Sequence, residues 1–207
     1  MIDLKGIKNI IFDLGGVILN IDYHLTGKEF QKLGIVNYNE LYTQFSQISV
    51  FDDLETGKIS PADFRTKIRT LSKVDLSDAQ IDSAWNAMLL DFPKERLELL
   101  DILKNKYRCF LLSNTNKIHL DFYNQKLKDE FGIDNLGVFL EKEYYSHEVG
   151  MRKPNTDIFE KVINDNNLIP SETLFIDDSP QHIEGAKKVG LNAYHLTNGE
   201  TIIDLFG

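Results

Sequence analysis

The stretch Lys8-Asn9-Ile10-Ile11-Phe12-Asp13-Leu14-Gly15-Gly16-Val17-Ile18 decides the fold. A short apolar run that ends in an acid and two glycines is the pattern of a buried parallel strand delivering a carboxylate to the edge of a sheet. The glycines remove side chains where the backbone turns, so a charged group is able to approach the main chain closely there. An ordinary Asp-containing turn would give the same local pattern. The rest of the chain has to decide between the two.

The 207 residues fit one large domain, or a domain with an insertion, and 42% apolar content is enough for a real core. A net charge of −9 gives no electrostatic footprint for nucleic acid or an anionic membrane surface. Any phosphate site must therefore rely on local groups or a bound cation. The single cysteine, Cys109, excludes an internal disulfide framework and reads as an inert strand thiol. No signal-peptide pattern opens the chain, and no apolar stretch approaches the ~20 residues needed to span a bilayer, so a cytoplasmic protein with no membrane partner is the expectation.

Beyond Ile18 the strand pattern is lost, and helix-like, polar-rich sequence continues to about Asp91, with room for three or four helices. Ser60-Pro61-Ala62-Asp63 is a helix start, with serine as N-cap and proline in the first helical position. Ser77 and Gln80 form a capping-box pair ahead of Ile81, Ala84, Trp85 and Met88, whose spacing predicts an apolar, core-facing stripe. Glu95 to Leu103 is expected to be a further helix. From Tyr107 strand and helix alternate, the signature of a parallel sheet with crossover helices. Strands are predicted at 108–112, 143–147, 173–176 and 193–196, with helices at 117–127 and 156–166, and another running from 180 to 188. The fold expected is α/β: a Rossmann-like parallel sheet with helices on both faces, formed by residues 1–19 and 92–207. A small helical cap, residues 20–91, is inserted after the first strand. In open α/β sheets ligands bind beyond the carboxyl ends of the strands, so a helical block attached there is placed to close over the site.

Four polar clusters fall at the carboxyl ends of predicted strands: Asp13, Ser113-Asn114, Lys153 and Asp177-Asp178. Each has an ordinary explanation, since strand-end serines cap, lone lysines are solvated and acid pairs make turns. Together they are the parts that phosphoryl transfer through an aspartyl phosphate requires. Three crowded carboxylates repel unless a cation sits among them, and hard oxygen ligands suit Mg²⁺. Lys153 would neutralise Asp13 or the transferring oxygens, and Ser113 would donate a hydrogen bond to the phosphoryl group.

With these motifs the chain resembles the haloacid dehalogenase-like hydrolase superfamily over about two thirds of its length. The resemblance rests on Ile11-Phe12-Asp13-Leu14-Gly15-Gly16-Val17, Leu112-Ser113-Asn114-Thr115-Asn116, Gly150-Met151-Arg152-Lys153-Pro154 and Phe175-Ile176-Asp177-Asp178-Ser179. The last three are similar to those of the α-glucose-1-phosphate phosphatases and the phosphatase domain of soluble epoxide hydrolases. The resemblance implies a Mg²⁺-dependent phosphatase of a small phosphorylated metabolite, with a sugar phosphate among the candidates. It implies Asp13 as nucleophile and metal ligand, the Gly15 carbonyl and Asp178 as further ligands, and Asp177 holding a metal-bound water or Lys153. Ser113, Asn114 and Lys153 would bind the phosphoryl group.

One departure matters. Most phosphatases of this superfamily carry a second aspartate two residues after the nucleophile, as general acid and base, and here that position is Gly15. Such help is worth about 10²–10⁴-fold, so a slow enzyme or a binding protein without activity is a competing expectation. A dehalogenase also lacks this acid, but it needs no metal and would leave the Asp177-Asp178 repulsion unexplained. A phospho-accepting receiver carries its acid pair after the first strand, whereas here the pair follows a late one. His24, just past the first motif, and Asp22 are candidates to supply the missing proton, although a histidine in a polar linker is ordinarily solvated.

Overall fold

The computed structural model describes residues 4–35, 49–197 and 199–206. Five strands, β1 (Asn9–Phe12), β2 (Arg108–Ser113), β3 (Lys142–Tyr145), β4 (Thr173–Asp177) and β5 (Asn192–His195), form one sheet in the order β3-β2-β1-β4-β5. Every pair is parallel, and Phe12 stands between Leu111 and Ile176. The strand carrying Asp13 is therefore the central one. The strands next to it on either side carry Ser113 and Asp177, so three of the four clusters are brought to one edge by topology alone.

Alternation along the strands builds two cores. Ile10, Phe12, Cys109, Leu111, Leu174 and Ile176 pack on one face, joined by Leu97, Leu100, Tyr123, Leu127 and Ile202. Those partners come from α5 (Lys94–Leu103), α6 (Lys117–Phe131) and α10 (Ile202–Phe206). Ile11, Phe110, Leu112 and Phe175 face the other way against Ile158, Phe159, Val162, Ile183 and Ala186. These belong to α8 (Thr156–Asp165) and α9 (Pro180–Lys188). Burial pushes the Cys109 thiol up to about 12, in keeping with an inert strand residue.

Between β1 and α5 lie α1 (Tyr23–Lys32), α2 (Val50–Glu55), α3 (Pro61–Ser72) and α4 (Asp78–Asn86). They enclose a separate apolar cluster that includes Phe30, Leu54, Phe64, Ile81 and Trp85, and Ile118 of α6 joins it from the sheet side. Both predicted starts hold: Ser60 accepts from the Asp63 amide and Ser77 from that of Gln80, each in a reciprocal capping box. The two chain crossings run side by side, with the Asn20 amide donating to the Asp91 carbonyl (3.0 Å) and the Leu90 amide to that of Asn20 (2.9 Å). Part of the expected helical insertion, residues 36–48, lies outside the described residues. Among the described residues no helix is long and apolar enough to cross a membrane.

The element boundaries differ from expectation at several ends. β3 is Lys142–Tyr145, not 143–147, because Ser146 turns inward to donate to the Thr115 carbonyl and starts a one-turn helix, α7 (Ser146–Val149). β2 continues to Ser113, paired with Tyr145, and β5 begins one residue early.

Candidate active site

Asp13 leaves the central strand with its amide still bonded to the Ile176 carbonyl (2.9 Å). A tight turn follows, in which the Leu14 carbonyl accepts from Ile18 (2.8 Å) and Leu19 (2.9 Å), and the Gly16 amide donates to the Leu19 carbonyl (2.8 Å). The second glycine of the pair is the constrained one. Gly16 has φ +73°, and a Cβ there would collide with the Asp178 carboxylate. Its hydrogen lets that carboxylate rest against the turn beside Asp13. Gly15 has no such constraint, and a Cβ there would meet only the Ile21 methyl, at 3.1 Å.

Lys153 is fully buried. Its ammonium lies 2.7 Å from Asp13 Oδ1 and 2.6 Å from Asp177 Oδ2, above the Phe175 ring. A buried cation is tolerated only with partners of this kind. Asp177 is fixed further by the Ser179 amide (2.8 Å) and by His182 Nδ1, 3.0 Å from both carboxylate oxygens. Burial disfavours ionisation of Asp177, but Lys153 and His182 outweigh it and its pKa falls. At Asp13 burial and the Asp177 charge outweigh Lys153, and the pKa rises. Asp178 is also raised, by burial and by Asp177. Three carboxylates against one ammonium leave excess negative charge.

Asn114, read as a substrate-binding residue, lines the cavity and is also bonded to the lysine loop. Its amide nitrogen donates to the Lys153 carbonyl and its oxygen accepts from the Lys153 amide, both at 2.9 Å, so it clamps the lysine's main chain. Ser113 is buried at the end of β2 and lines a cavity of about 450 Å³ together with Asp13, Gly15, Lys153 and Asp178. Asp13, Asp177 and His182 offer metal-ligand atoms within 4.8 Å of one another. That gap is already filled by the Lys153 ammonium and the His182–Asp177 bond, so of the three carboxylates at this edge those of Asp13 and Asp178 line the cavity.

The far wall of the cavity comes from the inserted helices and α6, and includes His24, Phe51, Glu55, Trp85 and His119. Arg152, next to Lys153, pairs with Asp52 and with Glu55 (3.0 Å) and so ties α2 to the loop bearing the lysine. Burial raises the Glu55 carboxyl to about 7. Asp22 accepts from the His24 amide (2.9 Å) as N-cap of α1. His182, Arg152 and His119 were not selected from the sequence. His182 alone had a signal there, one helical turn beyond the Asp177-Asp178 pair.

Comparison with known proteins finds relatives over nearly the whole chain. The haloacid dehalogenase-like hydrolase family matches residues 7–190. The D-ribitol-5-phosphate phosphatase of Bacteroides thetaiotaomicron is 33% identical over 195 residues, 93% of each chain. A sesquiterpene phosphatase of Aspergillus oryzae is 28% identical over 92% of this chain and 90% of its own. Among solved structures, a family enzyme of B. thetaiotaomicron in complex with magnesium and inorganic phosphate superposes with a TM-score of 0.90 at 39% identity, covering 97% of this chain and all of its own.

Proposed function

The chain belongs to the haloacid dehalogenase-like hydrolase family and is a magnesium-dependent phosphatase, and we propose that it hydrolyses a small sugar or polyol phosphate through a phosphoaspartyl intermediate on Asp13. The observation that carries the reading is the buried row Asp13–Lys153–Asp177, which ends in a carboxylate facing the cavity. Asp13 and Asp178, with the Gly15 carbonyl, would hold Mg²⁺: all are hard oxygen donors, and the excess negative charge at this edge calls for a cation. Bound there, Mg²⁺ supplies charge neutralisation and alignment for the phosphoryl oxygens.

Lys153 takes Oδ1 of Asp13 and leaves Oδ2 as the attacking atom. As Oδ2 bonds to phosphorus, the bond from phosphorus to the substrate's ester oxygen breaks, and the electron pair leaves with that oxygen. Ser113 donates to a phosphoryl oxygen while Lys153 balances its charge. Water then attacks phosphorus and gives its proton to the group that protonated the leaving oxygen, while the bond from phosphorus to Oδ2 breaks with its electron pair returning to Asp13, releasing inorganic phosphate. The departing oxygen needs a proton that Gly15 does not supply. Asp22 is engaged as a helix cap, Glu55 is paired with Arg152, and burial lowers His119 to a pKa of about 3. His24, exposed at the cavity rim, is the proposed donor.

Phosphate release from a panel of sugar and polyol phosphates tests the reading. Ribitol 5-phosphate comes first, because the relative from B. thetaiotaomicron is named for it. The expected outcome is Mg²⁺-dependent turnover that falls at least ~10³-fold in Asp13→Asn. Undiminished turnover in that variant refutes the assignment.

A further inference from the structure

Two residues that line the cavity carry polar atoms that phosphoryl transfer leaves unused. Trp85, near the end of α4, and His119, in the first turn of α6, are 6% and 7% exposed, and both line the cavity. Their rings stack at 5.1 Å with 13° between the planes, and Phe51 stacks on Trp85 at 5.2 Å and 7°.

Trp85 Nε1 is buried and has no hydrogen-bond partner among the described residues. Buried indole N–H groups ordinarily find one, and leaving one unpaired is costly. His119 Nδ1 lies 2.8 Å from Asn86 Oδ1. Assigning the proton of that bond to Nδ1, as the amide oxygen requires, leaves Nε2 as an acceptor. Burial keeps the ring neutral, with its pKa pushed down to about 3, so the lone pair on Nε2 persists at any working pH. Two residues of the cavity lining thus carry one unpaired N–H donor and one nitrogen acceptor on adjacent stacked rings.

A hydroxyl satisfies both, because it accepts through a lone pair and donates through its hydrogen. A carboxylate has no proton for Nε2, an ammonium has no lone pair for the indole, and a hydrocarbon has neither. We infer that Trp85 and His119 are specificity-determining residues that hold a hydroxyl of the substrate's organic part, which selects phosphate esters of polyols or sugars over those of hydrocarbon alcohols. The inference rests on the phosphatase reading and assigns the part of the site that recognises the leaving group.

The test measures kcat/KM for a pentitol 5-phosphate and its monodeoxy analogues in the wild type, Trp85→Phe and His119→Phe. Both substitutions keep an aromatic ring in the stack. Removal of one particular hydroxyl should cost the wild type about 10- to 100-fold. Trp85→Phe should lose a similar factor on the parent compound and treat it like that deoxy analogue. The inference is overturned if the wild type handles every deoxy compound within about twofold of the parent, or if both variants keep full discrimination. Calorimetric binding of the same compounds on an Asp13→Asn background reads the same ratio without turnover. Selective binding there with no phosphate release by the wild type upholds the hydroxyl site and overturns the phosphatase reading. Equal binding of parent and all deoxy compounds, with phosphate still released, does the reverse.

Discussion

The two ends of the cavity are built on opposite plans. At the Asp13 end the buried charges are partnered within the protein: Lys153 joins two carboxylates, His182 and the Ser179 amide hold Asp177, and Asn114 clamps the lysine backbone. At the opposite wall a buried indole N–H has no partner among the described residues, beside a neutral imidazole. Transition-state stabilisation requires groups already in place before the substrate arrives, so the first end is over-determined. Recognition gains from groups whose bonding is completed by the ligand, so the second end leaves bonds open.

Breaking the over-determined end should have the largest effect. Lys153→Met leaves Asp13 and Asp177 facing each other in a buried site, and removing one partner of a buried ion pair costs about 3–5 kcal/mol. Urea unfolding should show that loss, together with turnover below detection. An unchanged midpoint would mean that the row contributes no rigidity.

An intermediate effect is expected where the proton is supplied. Gly15→Asp places a carboxylate beside the phosphoryl site without backbone strain, displacing only the Ile21 methyl. Turnover of alkyl phosphates should rise about tenfold, with a smaller gain on p-nitrophenyl phosphate, whose leaving group needs little help. His24→Ala should lose alkyl more than aryl activity, and Gly15→Asp should rescue it. Equal losses on both substrate types would remove His24 from this role.

The smallest effect concerns the open wall and acid. The folded pKa of His119, about 3, lies below its unfolded value near 6.5, so the unfolded chain gains a proton first as pH falls. The stability that the neutral ring contributes is complete above about pH 6.5 and is lost as pH falls toward 3, at up to about 1.4 kcal/mol per unit. His119→Gln should flatten the pH dependence of unfolding between about pH 6 and pH 4.5. Parallel wild-type and variant curves would show that the imidazole is protonated in the fold.

Much of the fold, and the gathering of the polar clusters at one sheet edge, was legible in the chain because the signals are local. The run 10–12 is apolar in both alternations, so both faces of β1 had to be covered. Ser60 and Ser77 cap from three residues away, and the rule that ligands gather at strand carboxyl ends placed Asp13, Ser113, Lys153 and Asp177 together. That Asn114 also clamps the Lys153 main chain was not readable, since an amide at a strand end serves a ligand or a neighbouring main chain equally well. Trp85 was read as core, which its packing supports, but its spacing could not show that the residue also lines the cavity.

What the sequence determined by itself was therefore the parallel α/β layering, the helical insertion and the order of the polar clusters, because strand alternation, capping and chain order act over a few residues. Tertiary structure alone decided that His182 pins Asp177, that Arg152 ties α2 to the lysine loop, and that Trp85 and His119 stack into one wall. Those pairings join side chains 5, 97 and 34 positions apart, and their geometry is set by how helices pack on the sheet and on one another, which no local pattern encodes.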